Sequence, residues 1–554
     1  MRPKEKPKKF KDELAELSAV DPDFYKYLQE EEADIFEGSD ASEGEELEES
    51  AAIDDSETFD DEEEQQVEIL RSGNDLKVEI QTDPTTGKKI YNSDVLTFLD
   101  TVLSDPQKHR KDLAKFARVA VDCFISCIAR IQGNAGKSDA SYIIPEDEDF
   151  DEIVRLCFKH LGRILLNLLN PIEPKGKKRK KFKKKMRRSV TTFKNWHKYR
   201  LLSKEYLSAV HTFLSEIQNR KSILLTIRAI LDLADIYVHF PKLSKTTLKT
   251  LIKLWSRNAN EKIRIQSFVA IHKFVRFDAE LFSLVYKNCY VSYIANSKQI
   301  TQETLPLISF MQKSFTQLSL TNEKLACQHA FLYIRQFAIQ LRNATLAKHK
   351  DMMQKIYNWQ FIQGLYLWSN VVSHGSKSGT TSPIEHRWFK EVGYPLVEII
   401  SILRKAFISR NYLPLRIHCL RMLLMIQSNC NVFIPTLAIS VQLLNELVDI
   451  DTKKPQMGKG STEVVGIEEM LRLSKIQLND AGYRHRLAEE LFKVCVEAAD
   501  LLKGDPAFTV LVVPIDQDLK KVIKNCKNHD HTALFKSFRR RLLSHSDQKN
   551  GNSE

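Results

Sequence analysis

The stretch QHAFLYIRQFAIQLRNATLAKHKDMMQKIYNWQFIQGLYLWS, residues 328–369, decides the fold of this chain. Apolar side chains recur in it with the period of a helix, in two successive sets: Phe331, Ile334, Ala338, Leu341 and Thr345, then Phe361, Leu365 and Trp368. This spacing places the members of each set on one face of a helix. We therefore predict two amphipathic helices, with Phe337, Phe361 and Trp368 in a hydrophobic core.

Helical periods continue on both sides of this stretch. Residues 94–132 predict helices interrupted near Pro106, and residues 152–169 predict another that ends before Pro171, because proline does not continue a helix. FTVLVVPI, residues 508–515, is the best strand candidate, and it equally fits an extended segment that crosses the helical surface. Successive helices without alternating strands predict an all-α protein, built as an irregular HEAT-like helical solenoid.

Charge divides the chain into two parts. The first 70 residues hold seven Lys or Arg and 26 Asp or Glu, a net charge of −19, although the whole chain has a formal net charge of +11. Residues 30–64 contain no basic residue and little apolar area, so burial does not offset the entropy of ordering them. We expect a disordered acidic tail that keeps the chain soluble, shields its basic surface, or binds basic protein tails, histones included.

These patterns predict five regions along the chain. They are a disordered acidic region at 1–90, an N-terminal helical segment at 91–170, a basic linker at 171–200, a HEAT-like repeat domain at 201–545 and a disordered tail at 546–554. Nine cysteines lack paired spacing and no apolar segment has the length of a membrane span. We therefore expect a soluble intracellular chain in a reducing compartment, with Cys123 and Cys127 as buried thiols.

The densest basic run, KGKKRKKFKKKMRR at residues 175–188, is the first candidate for binding RNA. Its cations are Lys175, Lys177, Lys178, Arg179, Lys180, Lys181, Lys183, Lys184, Lys185, Arg187 and Arg188. Each cation set against a phosphate releases a condensed counterion, which gives affinity without sequence preference. The same run fits a nuclear-localisation sequence, and the two roles are compatible.

Three aromatic residues follow the basic run, interleaved with cations. Phe193, Trp196 and Tyr199 lie in FKNWHKYR, a composition suited to stacking unpaired bases. The alternative is that Phe193 and Trp196 dock the linker onto the first helix of the repeat domain.

The sequence contains no complete motif for catalysis or for metal binding. The glycine-lysine segments at Gly136 and Gly458 lack the glycine pattern of a phosphate loop. Cys526, His529 and His531 are three potential zinc ligands, but a structural zinc site needs four, and we expect them to be solvated loop residues. We predict no enzyme, no cofactor and no metal site.

Two motifs within residues 328–369 resemble the nucleolar complex protein 2 family. Its members have the pattern QHAFxYIRQxAIxLRNA followed by YNWQFIxxLxLWS, and both stand here in the same order. The likeness extends over about residues 285–430. It implies a HEAT-like, non-enzymatic assembly factor of the nucleolus that joins precursors of the large (60S) ribosomal subunit and their rRNA. The resemblance further implies a heterodimer with nucleolar complex protein 1 or 3, which supports maturation and transport into the nucleoplasm.

The family pattern also fixes charged and amide positions, which apolar packing alone does not require. Arg335, Arg342, Gln360 and Arg416 are therefore our partner-binding candidates. Arg335 and Arg342 leave the same flank of the predicted helix, where they either pair with a carboxylate of a neighbouring helix or contact a phosphate. The alternative function, from a different class, is a chromatin regulator that captures histones through the acidic tract at 30–64.

Overall fold

The computed structural model describes twelve ranges of the chain: 67–72, 76–81, 89–90, 93–106, 112–132, 142–143, 147–170, 193–277, 279–347, 350–378, 388–451 and 466–550. All of them belong to one compact unit, Gln66–Glu554. The acidic tract at 30–64 and the basic run at 175–188 lie outside the described residues. Within these ranges the protein is dominated by helices, which confirms the predicted all-α class.

Two short sheets lie in the first part of the described chain, and the last of their strands follows the first two helices. Strands β1 (Val67–Ser72) and β2 (Leu76–Gln81) form an antiparallel hairpin in which Val67 pairs with Gln81. Strands β3 (Lys89–Ile90) and β4 (Tyr142–Ile143) pair in parallel. The expectation that residues 1–90 lack structure is therefore wrong for this last part, because β-branched and apolar residues in β1 and β2 alternate with charged ones and favour strand pairing.

The first helical segment follows the sequence prediction closely. Helix α1 (Ser93–Ser104) and helix α2 (Leu113–Ile131) flank the break predicted near Pro106. Helix α3 (Asp147–Leu156) continues through a π-helical turn, Cys157–Leu161, into helix α4 (Gly162–Leu169). Helix α4 ends at Asn170, whose φ of 50° is left-handed, a conformation that asparagine tolerates and that commonly closes helices.

The helices of the larger part follow one another along the chain. They are α5 (Trp196–Glu216), α6 (Arg220–Asp232), α7 (Ala234–Tyr237), α8 (Pro241–Arg257), α9 (Glu261–Phe277), α10 (Ala279–Asn296), α11 (Leu305–Ser319), α12 (Glu323–Ala347), α13 (Lys350–Ile356), α14 (Trp359–Ser378), α15 (Trp388–Ala406), α16 (Leu413–Cys430), α17 (Thr436–Asp451), α18 (Lys475–Asn479), α19 (Ala481–Leu502), α20 (Phe508–Asn525) and α21 (His529–Asn550). Each packs mainly on helices close to it in chain order, as in helical-repeat proteins. The HEAT-like assignment itself stays a prediction.

The strand predicted for FTVLVVPI is wrong, because these residues open helix α20. Phe508, Val512, Ile515 and Leu519 recur at helical spacing and are buried. Val510 and Val513 are 72% and 58% exposed on the other side of the helix. A short apolar run does not distinguish a strand from a buried helix, and here the longer helical period, continued to Leu519, prevails.

Two hydrophobic cores meet at helix α16. Leu415, Cys419 and Met422 belong to the core that extends back to helix α1. Leu413, Ile417, Leu420 and Leu424 belong to the second core, formed with helices α17 to α21. A helix that buries apolar side chains on every side lies inside a protein. In the described part of the chain, no helix is both long and apolar enough to span a membrane.

Candidate partner groove and nucleic-acid interface

The residues predicted as core in the family-like block lie there. Phe337 of α12 and Phe361 of α14 form an edge-to-face pair with ring centroids 4.9 Å apart, and Trp368 is fully buried. Two of the helices that pack on α14, namely α12 and α15, approach it at glycines. A Cβ atom on Gly364 would lie 2.4 Å from Cζ of Phe337, and one on Gly375 would lie 2.2 Å from Cδ2 of Phe389 in α15.

The predicted apolar stripe of α12 opens onto a groove rather than facing only the core. This groove, which we call the partner groove, lies between α12 and α15 and has a volume of about 480 Å³. All five stripe residues line it, together with Tyr394, Pro395, Ile399 and Ile402 of α15. Phe331, Tyr394 and Ile402 are 53%, 73% and 45% exposed. Contiguous exposed apolar side chains of this kind mark interaction surfaces.

Arg335 and Arg342 stand on the α12 wall of this groove, as their common flank predicted. Arg335 is half-buried and has an interaction within the protein, whereas Arg342 is exposed. Glu398 lines the same groove from α15. The groove thus combines an apolar floor with charges of both signs, a composition that suits an amphipathic helix of another protein.

The other two family-fixed candidates bond within the fold. Gln360 is half-buried and its Nε2 atom donates to the carbonyl oxygen of Ile294 over 2.9 Å, which ties α14 to α10. The guanidinium of Arg416 is buried and makes a bidentate ion pair with Glu446 of α17. Because both side chains are used within the fold, this geometry does not support partner binding through Gln360 or Arg416. Arg335 and Arg342 remain as the partner-binding candidates.

The three aromatic candidates near the basic run cluster around the start of α5. The Phe193 and Trp196 rings stack with centroids 5.9 Å apart, and Trp196 lies 4.6 Å from the His239 ring and 5.3 Å from that of Phe240. Phe193 is buried, while Trp196 and Tyr199 are half-buried. These contacts favour docking for Phe193 and Trp196. Base stacking stays a prediction, and the half-buried ring of Tyr199 is more accessible to a base than the buried ring of Phe193.

Helix α8 presents an exposed row of cations, which we call the basic face. It consists of Lys242, Lys245, Lys249, Lys253 and Arg257. Spacings of three or four residues keep the row on one side of the helix over roughly 22 Å. The helix contains no Asp or Glu, and none of these five side chains bonds to another described residue. Sequence reasoning missed this face, although the regular lysine spacing without acidic residues was the available signal.

The C-terminal basic residues are arranged differently. Lys520 and Arg539 both pair with Asp516, at 2.9 Å and 2.6 Å, and Arg541 pairs with Asp500 at 2.8 Å. Neutralised cations release few counterions on binding RNA, so this cluster is a weaker candidate than the basic face.

Two sequence predictions concern the cysteines of α2 and the candidate zinc ligands near the C-terminal helices. Burial raises the pKa of Cys123 and raises that of Cys127 to about 12, which confirms the predicted buried thiols. His531, expected in a solvated loop, is instead fully buried in α21 and stacks on His485 at 5.8 Å. Among the described residues, no group of three His, Cys, Asp or Glu side chains is placed to hold a metal ion.

Comparison with known proteins identifies the family. The Noc2p family model matches residues 280–549. A "Nucleolar complex protein 2 homolog" of Caenorhabditis elegans is 36% identical over 97% of this chain and 73% of its own length. "Nucleolar complex protein 2" of Drosophila melanogaster is 29% identical over 76% of this chain and 53% of its own length. "Nucleolar complex-associated protein 2" of Arabidopsis thaliana is 26% identical over 88% of this chain and 59% of its own length.

These names agree with the predicted location in the nucleus and its nucleolus. The long match to the Caenorhabditis relative includes the block from which the resemblance was inferred. The chain therefore belongs to the nucleolar complex protein 2 family.

Proposed function

We propose that this protein is a non-enzymatic nucleolar assembly factor for the large ribosomal subunit. It binds precursor rRNA through basic surfaces and forms a heterodimer with a related protein, nucleolar complex protein 1 or 3. Family membership over nearly the whole chain carries the proposal. The partner groove and the basic face support its two binding activities, because each is exposed and chemically suited to its ligand.

The RNA part of the proposal assigns two basic elements. The basic run at 175–188 supplies the larger charge, and the basic face of α8 supplies cations on a rigid helix. Cations fixed along a helix hold the RNA at one place on the protein. The two elements together tether rRNA segments that are still folding.

The RNA test measures salt dependence. The variant Lys245→Ala, Lys249→Ala, Lys253→Ala is expected to bind single-stranded RNA with a log–log salt slope shallower by about 2, because three phosphate contacts are lost. The matched control, Lys520→Ala, Lys521→Ala, Arg541→Ala, removes the same charge from paired positions and should change the slope less. Equal slopes for wild type and the α8 variant would remove the basic face from the RNA site.

The partner part rests on the groove between α12 and α15. The substitution Ala338→Trp would fill the floor of the groove and block an incoming helix. Gln336→Ala, an exposed position of α12 outside the groove lining, is the control. We expect nuclease-treated purifications of Ala338→Trp to lose the related nucleolar complex protein while Gln336→Ala retains it. Circular dichroism of both variants must match wild type, and retention by a folded Ala338→Trp would contradict the groove assignment.

Arg335→Ala with Arg342→Ala tests the charged wall of the same groove. The double variant is expected to stay folded and to recover less partner in the same purification. A folded double variant that binds partner normally would leave both arginines as surface residues without a role in recognition.

A further inference from the structure

A second cavity, larger than the partner groove, lies along helix α15 and shares Tyr394 and Glu398 with that groove. It is bounded by α15, α16, the segment after α16 and helix α17, with a volume of about 820 Å³. Its walls are mainly apolar, from Val397, Ile426, Ile434 and Ile439. Val432 and Phe433 form part of its edge and are 51% and 55% exposed.

Arg404 lines this cavity, and its side chain has no counterion among the described residues. The residue is only 9% exposed, and its Nε atom has no hydrogen-bond partner. No ion pair joins Arg404 to any residue in the described ranges. The neighbouring carboxylate, Glu446, is already held by both terminal nitrogens of Arg416. Glu446 acts on Arg404 only through its charge, because its hydrogen bonds go to Arg416.

The rest of the cavity lining adds to this positive charge. Lys390 and Lys405 line it as well, against a single acidic residue, Glu398. A charged group taken out of water costs free energy unless an opposite charge and hydrogen bonds replace the water. The position of Arg404 in the last turn of α15 is favourable for a cation through the helix dipole. That dipole provides no acceptor for Nε, so the guanidinium remains able to bind an anion.

We propose that this cavity binds a short acidic segment of another protein, with one carboxylate on Arg404 and an adjacent apolar side chain between Ile426 and Ile439. Carboxylate is the planar acceptor that a guanidinium binds through two hydrogen bonds. The apolar walls favour a peptide over RNA, whose backbone would bring phosphates but little apolar surface. This binding site goes beyond the proposed function, because it requires neither rRNA nor the heterodimer partner.

The test uses the full chain and fluorescence anisotropy. The probe is a fluorescein-labelled peptide, Glu-Glu-Asp-Ile-Phe-Glu-Glu-Asp, and we expect saturable binding. Two control peptides replace either all acids by Gln and Asn or the Ile-Phe pair by Ala-Ala, and each should bind at least tenfold more weakly. A labelled ten-nucleotide oligouridine is the RNA control. Absence of saturable peptide binding, or RNA binding that depends on Arg404, overturns the proposal.

Two variants separate binding from folding. Arg404→Met keeps similar side-chain volume and removes the uncompensated charge, so its melting temperature should equal or exceed that of wild type while peptide binding falls at least tenfold. The double substitution Val432→Ala and Phe433→Ala, at the exposed edge of the cavity, should weaken peptide binding without changing the melting temperature of the protein. If Arg404→Met lowers the melting temperature as much as Arg416→Met does, Arg404 is structural and the proposal fails.

Discussion

Residues 193–277 and residues 466–550 are both rich in cations but use them in opposite ways. The first region holds 16 Lys or Arg against five Asp or Glu, and the second holds 15 against 12. None of the first region's lysines or arginines forms an ion pair with a described residue. In the second, Lys493, Lys520, Lys521, Arg539 and Arg541 are all paired.

The difference teaches that pairing, rather than the number of cations, decides which surface can attract a polyanion. A cation already neutralised by a carboxylate has little counterion atmosphere left to release, whereas an unpaired one on a helix surface retains it. Basic clusters read from sequence thus need their acidic neighbours in space before they are assigned to RNA. We expect substitutions in the paired region to affect stability and those in the basic face to affect binding.

The largest expected effect is on the buried pair between α16 and α17. Arg416→Ala should lower the free energy of unfolding by about 3 kcal/mol, because it leaves Glu446 partly buried without its partner. Urea unfolding followed by circular dichroism measures this. The control is Arg257→Ala at the end of the basic face, which should stay within about 0.5 kcal/mol of wild type. Similar losses for the two variants would contradict the view that a paired, buried cation stabilises the fold more than an exposed, unpaired one.

A second effect, smaller, depends on pH at the helix shared by both cores. Burial lowers the pKa of His418 to about 4. Its Nε2 donates to the carbonyl oxygens of Ile467 and Met470, and its Nδ1 accepts from the hydroxyl of Tyr366. The unfolded chain binds the proton with the ordinary pKa near 6.5, so acid favours unfolding. Stability should fall by about 2 kcal/mol between pH 7 and pH 5.

His418→Gln is the control for this pH dependence, since glutamine does not titrate. Its unfolding free energy, measured in urea at both pH values, should change less than that of wild type. An identical pH profile for the two proteins would assign the acid sensitivity to other groups.

The third effect concerns the ion pairs of the C-terminal helices. Burial raises the pKa of Asp516, but hydrogen bonds from Arg539 and Lys520 outweigh it and hold the pKa below its usual value. Stability from this carboxylate is present above the usual pKa and is lost as pH falls through the lower folded value. Arg539→Ala should cost about 1 kcal/mol at pH 7 and less at pH 2, measured by urea unfolding. If the cost of Arg539→Ala in unfolding free energy increased as the pH fell, the result would contradict the assigned ion pair.

The smallest expected change is in the stability of the basic face. Lys249→Ala, in the middle of the face, should leave the free energy of unfolding within about 0.5 kcal/mol of wild type. The same substitution should make the RNA salt slope shallower by about 0.7, one phosphate contact. If Lys249→Ala lowers the stability and leaves the salt slope unchanged, this lysine stabilises the fold and does not contact RNA.

The helices and the core of the family-like block were predictable because apolar period and motif agree there. Phe337, Phe361 and Trp368 are buried as expected. Phe331 is more than half exposed because the buried face of α12 runs through Ala330, Ile334 and Phe337, and Phe331 lies at its flank. Period alone does not say how many neighbours surround a helix, so an open groove and a closed core give the same pattern.

Individual polar contacts were beyond the sequence. Arg404 and Arg416 both lie next to apolar runs, yet within the part of the chain that the structure describes only Arg416 has a carboxylate partner. The partner, Glu446, lies 30 residues from Arg416 on another helix, and helix packing alone brings them together. The same limit applies to His531, whose burial against His485 depends on how α19 and α21 pack.

The two glycines of α14 determine the distance between the walls of the partner groove without lining it. The ring of Phe337, on α12, packs against Gly364, and the ring of Phe389, on α15, packs against Gly375. Both walls of the groove therefore contact the backbone of the same helix. An added methyl at either glycine would tilt one wall and change the opening between them. We therefore expect substitutions at these two glycines to change the affinity for the proposed partner helix through geometry alone, although neither glycine lines the binding surface.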